Sequence, residues 1–334
     1  MNKNSQINLS NENHSNVSVS SIESALNINN RIPLQKIEEP LIQKSGINLF
    51  VLRTDLNHPT VSGNKWYKLK YNLVEIKRKG IDTLLTFGGA YSNHIHAAAS
   101  AGKLLNIKTI GVIRGEEYNL LNPTLASAKG NGMLLYYVNR KTYRERKNRA
   151  FIQSLREKFG EFYLVPEGGT NRLALKGCTE IVKSININYD LICCACGTGG
   201  TLAGIIAGLN GSKKALGFAV LKGADFLKTD VEKLIIDYPG NNYTNWQINQ
   251  NYHFGGYAKT NEELLRFVLR FRDVNNIPIE PIYTGKMFYG IYNLAEKNYF
   301  EKGKTIVAVH SGGLQGLAGL NDRIRKSNPD FVIK

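Results

Sequence analysis

The sequence contains no long apolar run. No stretch of its 334 residues approaches the ~18 uninterrupted apolar side chains that a membrane-spanning helix requires, so we expect no membrane partner. Residues 1–30 also lack the apolar core of a secretory signal, and they are rich in Asn and Ser. This composition predicts a disordered extension over residues 1–30 of a cytoplasmic protein.

Cysteine is scarce, with four residues in the whole chain. Four thiols do not make a disulfide framework in a chain of this length. Three of them, Cys193, Cys194 and Cys196, fall in one apolar run. Together with His94 and His96 they suggest a metal-ligand pattern, but buried thiols that pack as small apolar groups explain the same residues. We therefore expect no metal site.

Acidic residues are outnumbered, with 27 Asp and Glu against 43 Lys and Arg and a net charge of +16. The densest basic stretch, residues 140–149, overlaps a segment with apolar side chains at helical spacing, so we predict one amphipathic helix over residues 142–159. A solvated basic face explains this stretch better than a nucleic-acid surface, because no helix-turn-helix, zinc-finger or RNP pattern accompanies it. We expect no nucleic-acid partner, although a basic surface would attract small anionic ligands.

The sequence does contain a repeated alternation of apolar runs, glycine turns and helical patterns. Predicted strands cover residues 49–53, 83–87, 108–113, 133–138, 162–165, 191–196, 215–220, 246–252 and 304–310. Predicted helices cover residues 68–78, 95–105, 172–185, 202–209, 261–274 and 285–299. This alternation indicates an α/β fold, and at ~150 residues per domain the length fits two open twisted parallel-sheet domains. Ligand sites in such folds lie at the carboxyl ends of strands, where these glycine turns fall.

Two of the glycine turns carry residues suited to chemistry. In residues 63–65 (Gly-Asn-Lys), the glycine allows close approach to a ligand and Lys65 supplies an amine that can form a Schiff base with an aldehyde. In residues 197–201 (Gly-Thr-Gly-Gly-Thr), a strand passes into a helix, so backbone N–H groups and the helix dipole favour a phosphate. This turn fits neither the nucleoside-triphosphate P-loop nor the dinucleotide fingerprint. A reactive lysine with a phosphate site predicts pyridoxal 5'-phosphate as the cofactor.

Five ordered motifs resemble those of the D-cysteine desulfhydrase and 1-aminocyclopropane-1-carboxylate (ACC) deaminase family. They are S-G-N-K-W-Y-K-L (62–69), G-G-A-Y-S-N-H (88–94), C-G-T-G-G-T (196–201), P-I-Y-T-G-K (281–286) and H-S-G-G (310–313). The resemblance covers about residues 35–325 and implies the tryptophan synthase β-like fold (pyridoxal-phosphate fold type II), with the cofactor in the interdomain cleft. It implies a large cofactor-binding domain of residues 31–66 and 171–334, a small domain of residues 67–170, and a homodimer.

The resemblance also implies roles for individual residues. Lys65 would bond to the cofactor aldehyde, Asn93 would contact the cofactor's ring hydroxyl, and a hydroxyl of Thr284 or Ser311 would face the ring nitrogen. The phosphate would be held by Gly197, Thr198, Gly199, Gly200 and Thr201. The catalytic residues would be Lys65, Ser92, Tyr257 and Tyr283, and the substrate would contact Ser92, Asn93 and His94. Ser92 can also be a helix N-cap. For Lys68 we expect a solvated or secondary cationic role.

Two positions favour α,β-elimination over ring opening. ACC deaminases of the family carry Glu after the tyrosine of P-x-Y, whereas this chain has Thr284; they usually carry Gln after S-N, whereas this chain has His94. A hydroxyl leaves the pyridine nitrogen largely neutral, and loss of a thiolate needs a weaker electron sink than opening a cyclopropane. The sequence therefore predicts a D-cysteine desulfhydrase that forms pyruvate, ammonia and hydrogen sulfide.

Other functions of the same fold stay open. ACC deaminase is the first alternative, followed by a β-replacement synthase, a racemase and a non-catalytic carrier of the cofactor. The presence of both Tyr257 and Tyr283 argues against the carrier. Trp66, Tyr67 and Tyr91 depart from the family pattern, and we expect their aromatic bulk to lie close to the cofactor.

Overall fold

The computed structural model describes residues 17–117, 120–238, 241–327 and 329–333. Its helices are α1 (Val19–Leu26), α2 (Pro40–Ser45), α3 (Asn64–Arg78), α4 (Asn93–Leu104), α5 (Pro123–Gly130), α6 (Arg140–Arg144), α7 (Arg149–Phe159), α8 (Arg172–Lys183), α9 (Gly200–Leu209), α10 (Phe226–Asp237), α11 (Glu262–Asn275), α12 (Thr284–Glu296) and α13 (Leu317–Ser327). Its strands are β1 (Leu34–Ile37), β2 (Asn48–Leu52), β3 (Thr83–Gly89), β4 (Lys108–Arg114), β5 (Leu134–Val138), β6 (Tyr163–Val165), β7 (Leu191–Cys196), β8 (Lys214–Ala219), β9 (Trp246–Asn249) and β10 (Thr305–Val309).

The larger sheet has six strands in the order β1-β2-β10-β7-β8-β9. β1 runs antiparallel to β2, and the other neighbouring strands are parallel. Strand β7 is a continuous apolar run because helices cover both faces of the sheet. Cys194 and Cys196 contact the apolar core on one face, and Cys193 contacts the core on the other. These thiols are packing residues of a buried strand.

The smaller sheet has four parallel strands in the order β5-β4-β3-β6. The prediction of an α/β fold with two mainly parallel sheets is therefore confirmed. Because the strands are parallel, their carboxyl ends share one edge of each sheet. The segments that follow β3 and β7 at those edges carry most of the predicted site residues.

One apolar core joins the two sheets through α3, α4, α8 and α9. The approach of α8 to α3 is very close, since a Cβ on Gly177 would lie 1.8 Å from the carbonyl oxygen of Tyr67. Only glycine allows this spacing. The position of α3 matters for function because Lys65 lies in its first turn.

The predicted amphipathic helix over residues 142–159 is wrong as a single helix. The chain forms α6 and α7 there, and Asn148 separates them. The Asn148 side chain accepts a hydrogen bond from the N–H of Ala150 at 2.9 Å, which makes it the N-cap of α7. Asparagine competes with the helical backbone at this point, and helical spacing of apolar residues does not reveal such a break.

The predicted disordered extension is wrong for its last part. Residues 1–16 lie outside the described residues, but Val19–Leu26 form α1, which begins with a capping box at Ser18. Ile22 and Leu26 are fully buried in the core that contains α3. Two apolar side chains in a polar segment are enough to dock one short helix.

The predicted domain division stays a proposal. The strands of the small sheet lie between residues 83 and 165, and those of the large sheet lie on both sides of that interval. A boundary after residue 66 would fall inside α3, which runs without a break from Asn64 to Arg78. None of the helices in the described part of the chain combines the length and apolarity needed to cross a membrane.

Candidate active site

Lys65 is placed by a contact between two loops. Gly63 precedes α3 with φ 64°, and a Cβ at this residue would lie 2.1 Å from the carbonyl oxygen of Ser311. Any other residue would therefore push α3 away from the loop after β10. The N–H of Asn64 donates to the same carbonyl at 3.2 Å. Lys65 and Ser311 are thus held at one place by backbone contacts.

The amine of Lys65 lies in an environment that favours its neutral form. Desolvation, followed by the charge of Lys68, lowers the pKa of Lys65 from 10.5 to about 7. Its Nζ donates to Oδ1 of Asn64 at 2.6 Å, and Nδ2 of Asn64 donates to Oγ1 of Thr201 at 2.8 Å. A lysine with such a pKa is a nucleophile near neutral pH.

Lys68 is not solvated, which leaves a secondary cationic role as the remaining one of the two expected roles. It lies one helical turn after Lys65 and is 3% exposed. Its Nζ donates to the carbonyl oxygen of Gly168 at 2.9 Å and to Oγ1 of Thr170 at 3.1 Å, with Oγ1 of Thr198 at 3.4 Å. Its partners are all neutral, and burial lowers the pKa of Lys68 below its ordinary 10.5. The spacing of three residues places Lys68 on the same face of α3 as Lys65, and this is the one feature of the sequence that indicates its position.

The turn after β7 has the geometry of an anion site. α9 begins at Gly200, directly after Gly199 in the left-handed conformation (φ 76°). A Cβ on Gly200 would lie 3.2 Å from Nζ of Lys68 and 2.7 Å from Oγ1 of Thr170, so only glycine leaves this space open. The N-terminal dipole of α9, the hydroxyl of Thr198 and the Lys68 ammonium all favour a phosphate here. The residues present fit the phosphate of the predicted cofactor.

Ser92 is the N-cap of α4, and Asn93 is the first residue of that helix. Oγ of Ser92 accepts from the N–H of Ile95 at 3.3 Å, so the expected N-cap role is confirmed, and Ser92 also lines the site cavity. Oδ1 of Asn93 accepts from Nε2 of Gln315 at 2.6 Å. That bond orients the amide and leaves Nδ2 as the group that can donate to a ligand. Sequence reasoning missed Gln315, which is 222 residues away from Asn93.

His94 is buried and neutral. Burial, then the charges of Lys65 and Lys68, lowers its pKa from 6.5 to about 3. Oγ1 of Thr86 donates to the carbonyl oxygen of Val165 at 2.7 Å, so it accepts from Nε2–H of His94 at 2.9 Å. This assigns the tautomer and leaves Nδ1 as a lone-pair acceptor, for which the described residues supply no donor. His94 can therefore accept a proton in a hydrogen bond but carries no charge to attract a carboxylate.

The two predicted tyrosines lie together. Their ring centroids are 5.9 Å apart at an interplanar angle of 69°, and both rings line the site cavity. Burial raises the pKa of each hydroxyl, so both remain protonated at neutral pH. Tyr257 is 39% exposed, which places it at the entrance, whereas Tyr283 packs against Gly197.

Ser311 and Thr284 differ in their access to a ligand. Ser311 lines the cavity, whereas Thr284 is fully buried and donates its hydroxyl to Oε1 of Glu280 at 3.0 Å. Glu280 also accepts from the N–H groups of Ile282, Tyr283 and Thr284, and its carboxylate caps α12. Burial raises the pKa of Glu280 from 4.5 to about 7. Sequence reasoning missed this carboxylate behind Thr284.

A single cavity collects nearly all predicted site residues, with Gly200 and Thr284 outside its lining. The predicted aromatic bulk is not in it. Trp66 is 1% exposed in the apolar core. The ring of Tyr91 packs against α13, where a Cβ on Gly319 would lie 2.7 Å from it. These two rings do not line the cavity, because Trp66 faces the apolar core and Tyr91, in the turn between β3 and α4, faces α13.

The cysteine and histidine pattern does not gather around one point. Within the described ranges, no group of three His, Cys, Asp or Glu side chains could hold a metal ion. The four thiols are unpaired and buried.

Known proteins are similar to this chain over most of its length. The family profile described as pyridoxal-phosphate dependent enzyme matches residues 27–312. A putative 1-aminocyclopropane-1-carboxylate deaminase of Thermotoga maritima is 31% identical and covers 87% of this chain and 96% of its own. The bifunctional mitochondrial D-cysteine desulfhydrase/1-aminocyclopropane-1-carboxylate deaminase of Arabidopsis thaliana is 30% identical, covering 82% and 74% respectively. The solved structure of an ACC deaminase homologue superimposes with a TM-score of 0.79 at 27% identity, over 91% of this chain and 98% of that one.

Proposed function

This chain belongs to the pyridoxal-phosphate dependent enzyme family, and we propose that it is a D-cysteine desulfhydrase that forms pyruvate, ammonia and hydrogen sulfide. The family membership and the tryptophan synthase β-like fold make it an enzyme that uses pyridoxal phosphate. The observation that supports the proposed reaction is the cavity around Lys65. It contains an amine of lowered pKa, an anion site and two protonated tyrosines, and a carboxylate is missing from its lining.

The residues that would hold the cofactor follow from the geometry. The turn of residues 197–201 and Lys68 would bind the phosphate, and Nδ2 of Asn93 would donate to the ring hydroxyl. Ser311 would face the ring nitrogen, because the hydroxyl of Thr284 is directed to Glu280. When bound, the cofactor supplies an aldehyde that bonds to amines and a ring that withdraws electrons from an attached amino acid.

The proton transfers would come from the chain's own side chains. Lys65, partly neutral at pH 7, would take the α-proton of the substrate. Tyr283 or Tyr257 would donate a proton to the departing sulfur. The N–H groups at the start of α4 and the Ser92 hydroxyl would bind the substrate carboxylate, and His94 would accept a hydrogen bond through Nδ1.

ACC deaminase is the second candidate. It is favoured by the names of the relatives, since the T. maritima protein carries only that activity in its name. The argument for desulfhydration is that the cavity offers the ring nitrogen a hydroxyl and no carboxylate. The Glu280 carboxyl lies behind Thr284 and is bonded to three backbone N–H groups, so it does not reach the cavity lining.

The test is a parallel assay of D-cysteine, L-cysteine and ACC, with sulfide, pyruvate and 2-oxobutyrate measured. We expect sulfide and pyruvate from D-cysteine alone. Lys65→Ala should abolish turnover, and Lys103→Ala, an exposed lysine on α4, should leave it unchanged. Formation of 2-oxobutyrate from ACC would support the second candidate and refute the electron-sink argument. Turnover of D-cysteine by Lys65→Ala would refute the assignment of Lys65.

We also propose that the enzyme is a cytoplasmic homodimer that acts on a small amino acid. The homodimer rests on the family resemblance and is checked by sedimentation of the purified holoenzyme. The cytoplasmic location is supported by four buried free thiols, which are typical of a reducing compartment.

A further inference from the structure

A second cavity lies apart from the Lys65 site. Its volume is about 380 Å³, and it is lined by Arg114, Arg140, Tyr143, Arg144 and Arg146, which we call the arginine cup. Arg114 is the last residue of β4. Arg140, Tyr143 and Arg144 belong to α6, which follows β5, and Arg146 lies in the turn after α6. The arginine cup therefore lies at the carboxyl edge of the small sheet, the edge at which ligands bind in folds of this kind.

The arginine cup carries more positive charge than its neighbours neutralise. Glu167 pairs with Arg146, with 2.7 Å between Oε2 and Nε, and it accepts from the hydroxyl of Tyr143 at 2.7 Å. Within the described ranges, no ion pair joins Arg114, Arg140 or Arg144 to a carboxylate. Three exposed guanidinium groups are therefore available to a ligand.

Part of the arginine cup is preorganised. Tyr143 is 2% exposed, and the guanidinium carbons of Arg114 and Arg146 lie 5.6 and 5.2 Å from its ring centroid. These cation–π contacts fix where two of the planar donor groups lie. A guanidinium offers two parallel N–H donors, and this geometry matches carboxylate, sulfonate and phosphate oxygens.

The arginine cup adjoins the active site through two short connections. A Cβ on Gly89 would lie 3.4 Å from Nη2 of Arg114, and the Gly89 carbonyl accepts from the N–H of Ser92 at 3.0 Å. On the other side, Glu167 precedes Gly168, whose carbonyl accepts from Nζ of Lys68. A charge bound in the arginine cup would therefore lie beside the substrate pocket.

We propose that the arginine cup binds a small oxyanion, a carboxylate, sulfonate or phosphate, next to the active site. Its charge, its preorganised guanidinium groups and its volume suit such a group. The oxyanion can come from two sources: a separate anion in solution, or the acidic side chain of an amino acid held at Lys65. The second source rests on the proposed function, whereas the first does not.

The first measurement is calorimetric titration of the holoenzyme with inorganic phosphate, because bound cofactor already fills the turn of residues 197–201. We expect Arg140→Gln/Arg144→Gln to weaken phosphate binding by about tenfold or more, since two charge-assisted donors are removed. Arg78→Gln changes an exposed arginine outside the arginine cup and should bind phosphate as the unsubstituted protein does. Equal affinity in the double variant would overturn the proposal.

The second measurement separates the two sources by inhibition of D-cysteine turnover with D-aspartate and D-alanine. If the arginine cup takes the side chain of a bound amino acid, the double variant should raise the inhibition constant of D-aspartate about tenfold and leave that of D-alanine unchanged. If it takes a separate anion, both constants should stay the same while phosphate affinity falls. Absence of all D-cysteine turnover would refute the proposed function and leave the phosphate titration readable.

Discussion

Two lysines lie one turn apart on α3 at the candidate active site, and the charge of Lys68 acts on Lys65. Burial is the main reason that the pKa of Lys65 falls, and the ammonium of Lys68 lowers it further. Lys68 is stabilised by carbonyl and hydroxyl oxygens, whereas Lys65 has a single amide oxygen. Lys68 therefore suits the binding of an anion, and Lys65 suits nucleophilic attack.

This difference gives a pH prediction for the cofactor-free enzyme. Because only the uncharged amine attacks an aldehyde, the rate of pyridoxal phosphate capture should rise with pH up to about 7 and level off above it. Because the pKa of Lys65 lies below the ordinary 10.5, the uncharged amine appears at lower pH than in a solvated lysine. Stopped-flow absorbance at constant ionic strength, from about pH 5.5 to about pH 9, measures this profile on both sides of the expected midpoint.

Lys68→Met tests the origin of the shift. Without the neighbouring charge the pKa of Lys65 should move up, and the midpoint of the profile should shift to higher pH. Lys103→Met should leave the midpoint in place, since Lys103 is exposed on α4. A rate that keeps rising to pH 9 in the unsubstituted protein would contradict the lowered pKa.

At the scale of elements, the contact between α3 and α8 sets where Lys65 lies. α8 carries Gly177 against the backbone of Tyr67, two residues after Lys65 in the same helix. The start of α3 is fixed separately by Gly63 against Ser311. A helix held at its first turn and again along its side can carry a reactive amine at a constant position.

Gly177→Ala tests the contact between α8 and α3. The added methyl group would overlap the Tyr67 carbonyl, so we expect a loss of about 2 kcal/mol or more in the free energy of unfolding. Gly130→Ala is the matched control, because nothing lies within 4 Å of a Cβ at this exposed helical position. That variant should gain about 0.5–1 kcal/mol from higher helix propensity. Urea unfolding at one fixed cofactor concentration compares the two, since bound cofactor itself adds stability.

Equal stability of the Gly177→Ala and unsubstituted proteins would mean that α8 can move away from α3 at little cost. The position of Lys65 would then depend on the Gly63 contact alone.

At the scale of the whole molecule, the net charge of +16 is concentrated most densely in residues 140–149. The densest basic segment does not form one exposed helical face. It breaks at Asn148, and its first part, with Arg114, surrounds Tyr143 to form the arginine cup. A cavity of about 380 Å³ accommodates a small anion, and it takes up three arginines of the basic segment.

We therefore predict no specific nucleic-acid binding. Fluorescence anisotropy with labelled duplex DNA and single-stranded RNA should show weak binding at low salt. This binding should be lost at about 0.15 M salt, because nonspecific charge attraction is screened there. Retention of tight binding at that salt concentration, or a preference for one sequence, would contradict this prediction.

Much of the site could be predicted from sequence because its signals are local. Gly63 and Lys65, Ser92 and Asn93, and the glycine turn before α9 each lie at the start of a helix. The chemistry of each motif can therefore be inferred without knowing its neighbours. The strand over residues 191–196 could be predicted for the same reason, since the unbroken apolar run of β7 indicates burial on both faces.

The sequence by itself determined the α/β alternation and the cofactor, and it marked Lys65 and the turn of residues 197–201 as candidates for the reactive amine and the phosphate site, since these depend on short-range patterns of residue type. Only the tertiary structure decided which side chains from distant segments meet. It joined Gln315 to Asn93 and Glu280 to Thr284, buried Lys68, and turned Trp66 and Tyr91 away from the site. It also brought Arg114 to Arg140. Burial, orientation and electrostatic environment depend on packing between elements, and spacing along the chain does not encode that packing.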